Sequence, residues 1–352
     1  MKIAQIAPLW ESVPPKLYGG TERVVSYLTE ELVRIGHEVT LFATGDSQTR
    51  AKLRSVWPRA LRLSKGPMDH DAVFISLMKQ SLRAGAKDFD VIHWHVDPGT
   101  FPLARWCKTP VIATLHGRLD LPELVPLFQD YHDIAMVSIS NAQRLPVPGA
   151  NWHATVYHGL PSNLYSFHPH SGSYLAFLGR IAPEKRPDHA IEIAKRAGIP
   201  LRMAAKVDAA NRHYFDAVVK PLLNHPLIDF IGELADADKG RFLGAAAAVL
   251  CPYDWPEPFG LVFIEAFSCG TPVLAYRRGS IPEIVEDGVT GWVCNDMDEM
   301  LDAITKIASI DRRQCRDSFL RRFTVERMTK EYLELYSRMI EGNRPIMVQL
   351  AA

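Results

Sequence analysis

The chain has 352 residues, 47% of them hydrophobic and 23% charged, and its 40 basic and 40 acidic residues give a formal net charge of zero. This composition excludes the disordered and fibrous classes, and the balanced charge gives no general argument for nucleic acid or an acidic polymer as a partner. Because single cores stop growing at roughly 250 to 300 residues, we expect two domains.

The amino terminus and the cysteines indicate a cytoplasmic protein. The opening MKIAQIAP is too short for a signal peptide and is typical of a first strand. The five cysteines are odd in number, widely spaced and form no Cys-x-x-Cys pair, which predicts reduced thiols. No apolar run approaches the ~20 residues that a membrane span needs.

Short apolar strands alternate with helical stretches along the whole chain, as in doubly wound α/β folds. The strands predicted in the first half are 2–8, 37–44, 90–95, 110–117, 133–140 and 154–159. The stretch between the first two strands predicts a helix with Thr21 as its N-cap and Gly36 as its stop. The apolar face of this helix consists of Val24, Leu28, Leu32 and Ile35.

A second alternation of strands and helices follows segment 160–173, whose Pro, Ser and His residues are typical of a linker. Its predicted strands are 174–180, 200–206, 227–234, 247–254, 271–277 and 291–294. From residue 297 onward the sequence is helical. Two such lobes side by side imply a cleft between them, faced by the carboxyl ends of the parallel strands.

The stretch WPEPFGLVFIEAFSCGTPV, residues 255 to 273, places two carboxylates eight positions apart around an apolar run. Pro258 predicts an extended Glu257 and a helix that begins near Phe259, with Gly260 in its first turn. Glu265 then lies within a helix that is apolar on nearly every side. Since an unpartnered carboxylate there would cost several kcal/mol, a protein group or a polyhydroxy ligand must accept it.

Cations and glycines meet at the expected rims of the cleft. Gly19 and Gly20 directly precede a helix, whose N-terminus attracts anions. In GRIAPEKR, residues 179 to 186, Arg180 ends a strand and Lys185 lies in the following loop, and two such cations suit a diphosphate. Gly260 permits a close backbone approach to the same group.

The motifs together resemble the retaining, nucleotide-sugar-dependent glycosyltransferases of family 4. They are Gly19-Gly20, His116-Gly117, GRIAPEKR, EPFGLVFIE and the following AFSCGTPVLAYRRGSIPEIVEDGVTGW. The resemblance spans the whole chain in the right order, and its second half is the specific part. It implies a GT-B fold: two Rossmann-like doubly wound lobes facing a cleft, with a C-terminal helix crossing back to the first lobe.

The resemblance also implies domains and site roles. An acceptor-binding lobe would cover 1–165, a donor-binding lobe 166–323 and the crossing helix 324–345. The catalytic residues would be His116, Arg180, Lys185 and Glu257. The donor would contact Gly19, Gly20, Arg180, Lys185, Glu257, Phe259, Gly260, Leu261 and, through its ribose, Glu265; Gly232 and Leu234 would lie near the base.

The implied reaction moves a hexose to a hydroxyl acceptor, either a sugar, a glycolipid or a small molecule. UDP-glucose is the first expectation for the donor and GDP-mannose the second. Neither a cofactor nor a metal is expected, because fixed cations and a helix N-terminus can stabilise the leaving diphosphate. Front-face attack is favoured over a covalent intermediate. The alternatives are another GT-B enzyme, such as a sugar phosphorylase or nucleotide-sugar epimerase, and a catalytically silent sugar-nucleotide binding protein.

Three further patterns have competing interpretations. His93 and His95 fall on one strand face near Asp97, where zinc is an alternative to polar lining. Asp236-Ala-Asp238 and Asp296-Met-Asp298 resemble a metal motif but suit helix starts. The basic segment 50–65 suits a solvated edge of the protein. The alternative is that it contacts the acceptor or binds peripherally to the inner membrane. The chain is expected to be a monomer or dimer, with no nucleic acid bound.

Overall fold

Two parallel sheets, one in each half of the chain, organise the molecule. The structure, a computed structural model, describes residues 1–16, 18–63, 71–83, 85–96, 98 and 101–342. Within these residues thirteen strands form a seven-stranded sheet of order β3-β2-β1-β4-β5-β6-β7 and a six-stranded sheet of order β10-β9-β8-β11-β12-β13. Each lobe starts at the centre of its sheet and winds outward in both directions, which confirms two Rossmann-like lobes.

The predicted strands all correspond to strands of the structure. The first sheet contains β1 Lys2–Ile6, β2 Glu38–Thr44, β3 Lys52–Trp57, β4 Val91–Trp94, β5 Val111–Thr114, β6 Ala135–Ser138 and β7 Trp152–Thr155. The second contains β8 Tyr174–Arg180, β9 Leu201–Lys206, β10 Ile228–Gly232, β11 Ala246–Cys251, β12 Val273–Tyr276 and β13 Gly291–Cys294. β7 begins two residues before the predicted 154–159, and after residue 297 the described chain contains no further strand.

Strand β3 was not predicted and lies inside the basic segment 50–65. It pairs in parallel with β2 at the edge of the first sheet, and residues 64 and 65 lie outside the described part. Lys52, Ser55 and Trp57 are exposed, whereas Leu53 and Val56 are half-buried. The interpretation as a solvated edge is therefore favoured, since an edge strand exposes one side to water.

The helices cover both faces of the sheets. In the first lobe they are α1 Gly20–Arg34, α2 Asp71–Arg83, α3 Phe101–Ala104, α4 Leu124–Asp130 and α5 Asn141–Arg144. In the second lobe they are α6 Pro187–Ala197, α7 Arg212–Tyr214, α8 Lys220–Leu222, α9 Asp236–Gly244, α10 Leu261–Cys269, α11 Ile281–Ile284, α12 Met297–Thr305 and α13 Arg312–Arg322, followed by α14 Val325–Gly342. No helix of the described ranges is long and apolar enough to cross a membrane.

Three predicted helix starts can be compared with the structure. The prediction that Thr21 caps α1 was wrong, because the helix begins at Gly20 and Gly19 holds the cap position without a side-chain bond. Asp296 does cap α12, since its carboxylate accepts the backbone N–H of Glu299 at 3.0 Å. Asp236 and Asp238 lie in the first turn of α9 without capping it.

Helix α14 returns to the first lobe, as the resemblance implied. Its residues Met328, Tyr332 and Tyr336 are almost completely buried and share a core with Ile3 and Leu28 of the first lobe. The chain crosses between the lobes twice, and the two crossings are bridged at Leu160 and Thr324. A Cβ at Gly159 would collide with the backbone of Thr324, so glycine is needed for this close approach.

Candidate active site

A cavity of about 660 Å³ lies between the lobes and receives residues from both. Its wall includes eleven of the predicted site residues, namely Gly19, Gly20, His116, Arg180, Lys185, Leu234, Glu257, Phe259, Gly260, Leu261 and Glu265. The exception is Gly232, the last residue of β10, which does not line the cavity. At φ 77° it makes the turn after which Glu233 and Leu234 reach the wall.

The N-terminus of α10 points at this cavity. The helix starts at Leu261, two residues later than predicted, and Gly260 caps it in the left-handed region at φ 83°. A Cβ there would also collide with the ring of Phe263, so only glycine suits the position. Leu261 and Val262 of the first turn line the cavity, and the N–H groups of a helix N-terminus favour a bound anion.

Glu265 is buried within α10, with 4% of its surface exposed, and its partner is a lysine of α9. The Lys239 ammonium lies 3.5 Å from the Glu265 carboxylate and 2.9 Å from that of Asp236. Asp236 in turn pairs with Arg23 of α1, in the opposite lobe. The carboxylate that sequence analysis left without a partner is thus part of an ionic chain that joins the two lobes.

Lys185 and Glu257 form a second buried ion pair on the same wall. The Glu257 carboxylate also accepts the indole N–H of Trp255 at 3.0 Å. The Lys185 ammonium lies 4.0 Å from the ring centre of Tyr253 and 4.8 Å from that of Trp255. Aromatic faces and one carboxylate therefore hold this cation in place beside the N-terminus of α10.

Arg180 ends β8 and faces the first lobe across the cavity. Its guanidinium lies 3.1 Å from the Glu184 carboxylate and 5.9 Å from the ring of Tyr18, which belongs to the loop before Gly19. Burial opposes the charge of Arg180, but the Tyr18 hydroxyl and the Glu184 carboxylate outweigh it and raise the pKa of the guanidinium. Arg180 is thus a permanent cation at the point where the lobes approach each other.

Glu22 is a buried carboxyl on the cavity wall, in the first turn of α1. It is 6% exposed, and this burial raises its pKa from the ordinary 4.5 to about 7, with a further contribution from the neighbouring Glu11. A carboxyl so close to an anion site would repel a phosphate if it were ionised. The raised pKa keeps part of the population protonated at neutral pH.

Replacing Glu22 with glutamine should raise the free energy of unfolding of the ligand-free protein at pH 8 by up to about 3 kcal/mol. The folded-state pKa lies above the ordinary value, so the stabilisation by the proton is complete below pH 4.5 and is lost as pH rises through about 7. Urea unfolding at pH 5 and pH 8 measures this, with Glu192→Gln on α6 as the exposed control. An equal increase in the free energy of unfolding at both pH values would contradict the protonation of Glu22.

His116 is a half-buried residue of the cavity wall and contacts the buried histidines His95 and His158. Its Nε2 lies 2.9 Å from Nδ1 of His95, and its ring stacks on His158 at 5.2 Å. Burial lowers the pKa of His116 to about 3 and that of His95 and His158 well below the usual 6.5. These imidazoles are neutral at physiological pH, so His116 offers hydrogen bonds but no charge to a ligand.

The histidines of the zinc alternative use both ring nitrogens for protein groups. His93 contacts the Tyr336 hydroxyl at 2.6 Å and that of Thr114 at 2.7 Å. His95 contacts His116 at 2.9 Å and the Gln5 carbonyl at 2.7 Å. Asp97, the third residue of that alternative, lies outside the described residues. The arrangement favours polar lining for His95 and a buried structural position for His93.

Sequence analysis missed several residues of this wall: Tyr18, Glu22, Arg23, His158 and Lys239. Three of these residues lie in the first turns of helices, namely Glu22, Arg23 and Lys239. Charged residues there are typical of exposed positions, so the sequence offered no reason to place them in the site. Tertiary packing places them on the wall: Arg23 contacts Asp236 of the other lobe, and Glu22 lies near Glu11 and Arg62 of its own lobe. No local pattern reveals these contacts. The spacing of Asp236 and Lys239, three residues apart on one helix, is a signal that could have indicated their ion pair, although not its continuation to Glu265.

Comparisons with known proteins cover both lobes. The profile of the family described as "Glycosyltransferase Family 4" matches residues 18–145, and that described as "Glycosyl transferases group 1" matches residues 166–318. A D-inositol 3-phosphate glycosyltransferase of Saccharomonospora viridis is 31% identical over 205 residues, which are 52% of this chain and 47% of that protein. The match thus spans about half the length of that relative.

Other similarities extend over most of the chain. A phosphatidyl-myo-inositol mannosyltransferase of Mycolicibacterium smegmatis is 26% identical, over 89% of this chain and 86% of that protein. The sucrose-phosphate synthase of Thermosynechococcus elongatus has a TM-score of 0.78 at 18% identity, covering 97% and 99% of the two chains. HepE of Anabaena, solved in complex with UDP, has a TM-score of 0.74 at 18% identity, covering 96% and 100%. These structural likenesses show the two-lobed fold.

Proposed function

Because the chain belongs to the glycosyltransferases of family 4 and has their GT-B fold, we propose that it transfers a hexose from a nucleoside-diphosphate sugar to a hydroxyl acceptor with retention of configuration. One observation carries the proposal. Arg180 and Lys185 meet the N-terminus of α10 and the Gly19-Gly20 loop around a single cavity. Two cations and two helix N-termini make a site for a diphosphate.

The remaining wall suits the other parts of such a donor. Glu265 is the candidate for the ribose, since its carboxylate is buried at the cavity and can accept two hydroxyl groups. Phe259, Gly260 and Leu261 present backbone N–H groups to the sugar or the phosphates, and Glu257 lies next to them. Leu234 is the candidate for the base. Gly232 is replaced in this assignment by the neighbouring Glu233, which does line the cavity.

The proposed chemistry follows from the charges that develop as the donor breaks. When the bond between the anomeric carbon and the phosphate oxygen breaks, the diphosphate gains negative charge and the sugar gains oxocarbenium character. Arg180, Lys185 and the N-terminus of α10 stabilise the negative charge on the diphosphate. The acceptor oxygen forms the new bond on the face that the diphosphate leaves, and its proton passes to the departing phosphate oxygen. His116, being neutral, adds no positive charge beside the sugar.

In this mechanism the protein's own cations carry out the neutralisation that a divalent metal provides in other enzymes. Arg180 keeps its charge at every physiological pH, and Lys185 is held by Glu257 and by two aromatic faces. We therefore propose a reaction that needs neither metal nor cofactor. Transfer that persists unchanged in the presence of a chelator is the expected behaviour.

For the donor we propose UDP-glucose first and GDP-mannose second. HepE was solved in complex with UDP-glucose, whereas the Mycolicibacterium relative is named as a mannosyltransferase. The acceptor would enter along the first lobe, where the wall includes Trp10, Arg62, Pro98, Arg118, Leu121 and Leu124. A cytoplasmic location, a peripheral membrane contact and a monomeric or dimeric state stay predictions of the sequence.

Thermal unfolding with UDP, GDP, ADP and TDP tests the donor site. A ligand at about 100 times its dissociation constant adds about 2.7 kcal/mol, which should raise the midpoint by several degrees. The nucleotide with the largest shift identifies the base, and we expect it to be UDP. The absence of a shift with all four nucleotides would contradict the proposed donor site.

Incubation with labelled donors then separates the alternatives. A glycosyltransferase releases nucleoside diphosphate and transfers or slowly hydrolyses the sugar. A phosphorylase makes sugar phosphate from inorganic phosphate, and an epimerase converts one donor into another. A silent binding protein would shift the melting midpoint without consuming any donor.

A further inference from the structure

A chain of hydrogen bonds runs from the cleft wall into the first lobe. The Nε2 of His116 lies 2.9 Å from Nδ1 of His95, and the Nε2 of His95 lies 2.7 Å from the side-chain carbonyl of Gln5. Gln5 is in the middle of β1 and has no exposed surface. Its amide nitrogen donates to the hydroxyl of Tyr336 on α14 at 3.2 Å. The chain therefore begins at the candidate reaction centre and ends on the helix that crosses between lobes.

The side-chain carbonyl of Gln5 determines which atom donates and which accepts in each of these hydrogen bonds. Its carbonyl oxygen can only accept, so His95 must carry its proton on Nε2. A neutral imidazole has a single ring proton, which leaves Nδ1 of His95 as an acceptor. His116 must then donate from Nε2 and keep a lone pair on Nδ1. That Nδ1 is buried and has no hydrogen-bond partner among the described residues.

We propose that Gln5 and His95 are positioning residues that hold His116 of the cleft wall as its neutral Nε2–H tautomer, with the lone pair of the buried Nδ1 kept as a hydrogen-bond acceptor. Gln5 does not line the cavity, and His95 lines it as a neutral imidazole. Gln5 acts on His95, and His95 acts on His116. The sequence pattern offered no sign of Gln5, because it stands in an otherwise apolar first strand.

The titratable and charged side chains around His95 and His116 are His93 on β4, His158 after β7 and Arg327 near His158. Tyr332 and Tyr336 on α14 contact His93. Within the described ranges the titratable groups that act on His95 are His93, His116 and His158, and a proton on any of them would oppose a second proton on His95. Burial itself lowers the pKa of both His95 and His116.

A neutral His116 matters because the proposed reaction makes the sugar positive. An imidazolium at this position would repel an oxocarbenium, whereas a neutral ring with a fixed lone pair can orient a hydroxyl. Gln5 is suited to this task because an amide accepts a hydrogen bond without attracting a proton. This consequence rests on the proposed function, whereas the tautomer itself does not.

The decisive variant is Gln5→Glu, which keeps the shape of the side chain but adds a negative charge. The carboxylate should raise the pKa of His95 and make it an imidazolium with protons on both nitrogens. His95 would then donate to Nε2 of His116, whose proton would move to Nδ1. The variant thus converts Nδ1 of His116 from an acceptor into a donor without changing any residue that lines the cavity.

Nitrogen-15 spectra of the histidine rings should show the Nε2–H tautomer for His95 and His116 in the wild type. In Gln5→Glu they should show a protonated His95 and an Nδ1–H tautomer for His116. If the wild type has the Nδ1–H tautomer of His116, the proposal is wrong. This measurement needs no turnover, so its result does not depend on whether the proposed function is correct. The wild-type spectrum tests the tautomer of His116 even if the variant does not fold.

Turnover supplies the second readout. We expect kcat of Gln5→Glu to fall roughly ten- to a hundredfold at pH 7, with a smaller change in KM for the donor, as when the partner of a functional histidine is lost. Activity should recover as pH rises and His95 loses its extra proton, whereas the wild type stays flat over this range. Gln5→Leu should lose activity without this recovery, and Gln48→Glu, an exposed change in the same lobe, should match the wild type. A folded Gln5→Glu with wild-type kcat and pH profile would overturn the proposal.

Discussion

Replacing Lys185 with methionine should lower kcat roughly a hundred- to a thousandfold while the nucleotide still binds. Methionine keeps the length and the aromatic contacts of the side chain but removes the cation. In the structure this cation lies between Tyr253, Trp255 and Glu257, next to the N-terminus of α10. The charge on the leaving diphosphate grows in the transition state, so the loss should fall on kcat more than on KM.

Removing Lys185 also leaves the indole of Trp255 as the one side-chain partner that the buried Glu257 keeps among the described residues, which would destabilise the fold. The double variant Lys185→Met/Glu257→Gln separates the two effects, because it restores the charge balance but not the catalytic cation. Lys195→Met on α6 is the control for loss of a lysine elsewhere in the second lobe. Steady-state kinetics of all three variants test the role. A kcat within threefold of wild type in the folded double variant would show that Lys185 is not the cation that stabilises the leaving diphosphate.

Replacing Glu265 with alanine should weaken the binding of the nucleoside diphosphate about ten- to a hundredfold, the range expected when hydrogen bonds to a charged group are lost. Folding should be affected less, because Lys239 keeps Asp236 as a partner. Calorimetric titration of wild type and variant with UDP measures the loss.

The ribose assignment has a sharper test in the 2′-deoxynucleotide. Wild type should bind it more weakly than the ribonucleotide, and Glu265→Ala should bind the two alike, since the carboxylate that distinguishes them is gone. The matched control is Glu286→Gln, which changes a carboxylate paired with Arg322 away from the cavity. Equal discrimination by Glu265→Ala and wild type would place the ribose elsewhere.

Most strands were predictable because they are short apolar runs buried in the core, such as β4 and β12, in which every residue is buried. β7 and β10 are only half-buried, but they still lie in the alternation of strands and helices. The edge strand β3 was missed because it is half-exposed: Lys52, Arg54 and Ser55 interrupt its apolar residues, so its pattern resembles a basic surface segment. The start of α10 was misplaced by two residues. The left-handed conformation of Gly260 ends the preceding turn there, and sequence does not report the sign of φ.

The candidate site was predictable in its residues but not in its contacts. Arg180, Lys185 and Glu257 stand in loops whose composition indicates an anion site. The partner of Glu265 was not predictable, since Lys239 comes from another helix and Arg23 completes the ionic chain from the other lobe. Gly232 itself does not line the cavity, whereas Glu233 and Leu234 do, and the register of β10 shifts between Phe230 and Gly232 just before them. Contacts between lobes depend on how two separate folds meet, which local patterns do not encode.

The central claim is transfer of a hexose from a nucleotide sugar with retention, and proton NMR of the reaction tests it directly. With UDP-α-glucose and a hydroxyl acceptor, in the presence of a chelator, the first new anomeric signal should carry the coupling constant of an α-glucoside and grow together with free UDP. GDP-α-mannose should be tested in parallel under the same conditions. A first product of β configuration, or no consumption of any donor by the folded protein, would contradict the account.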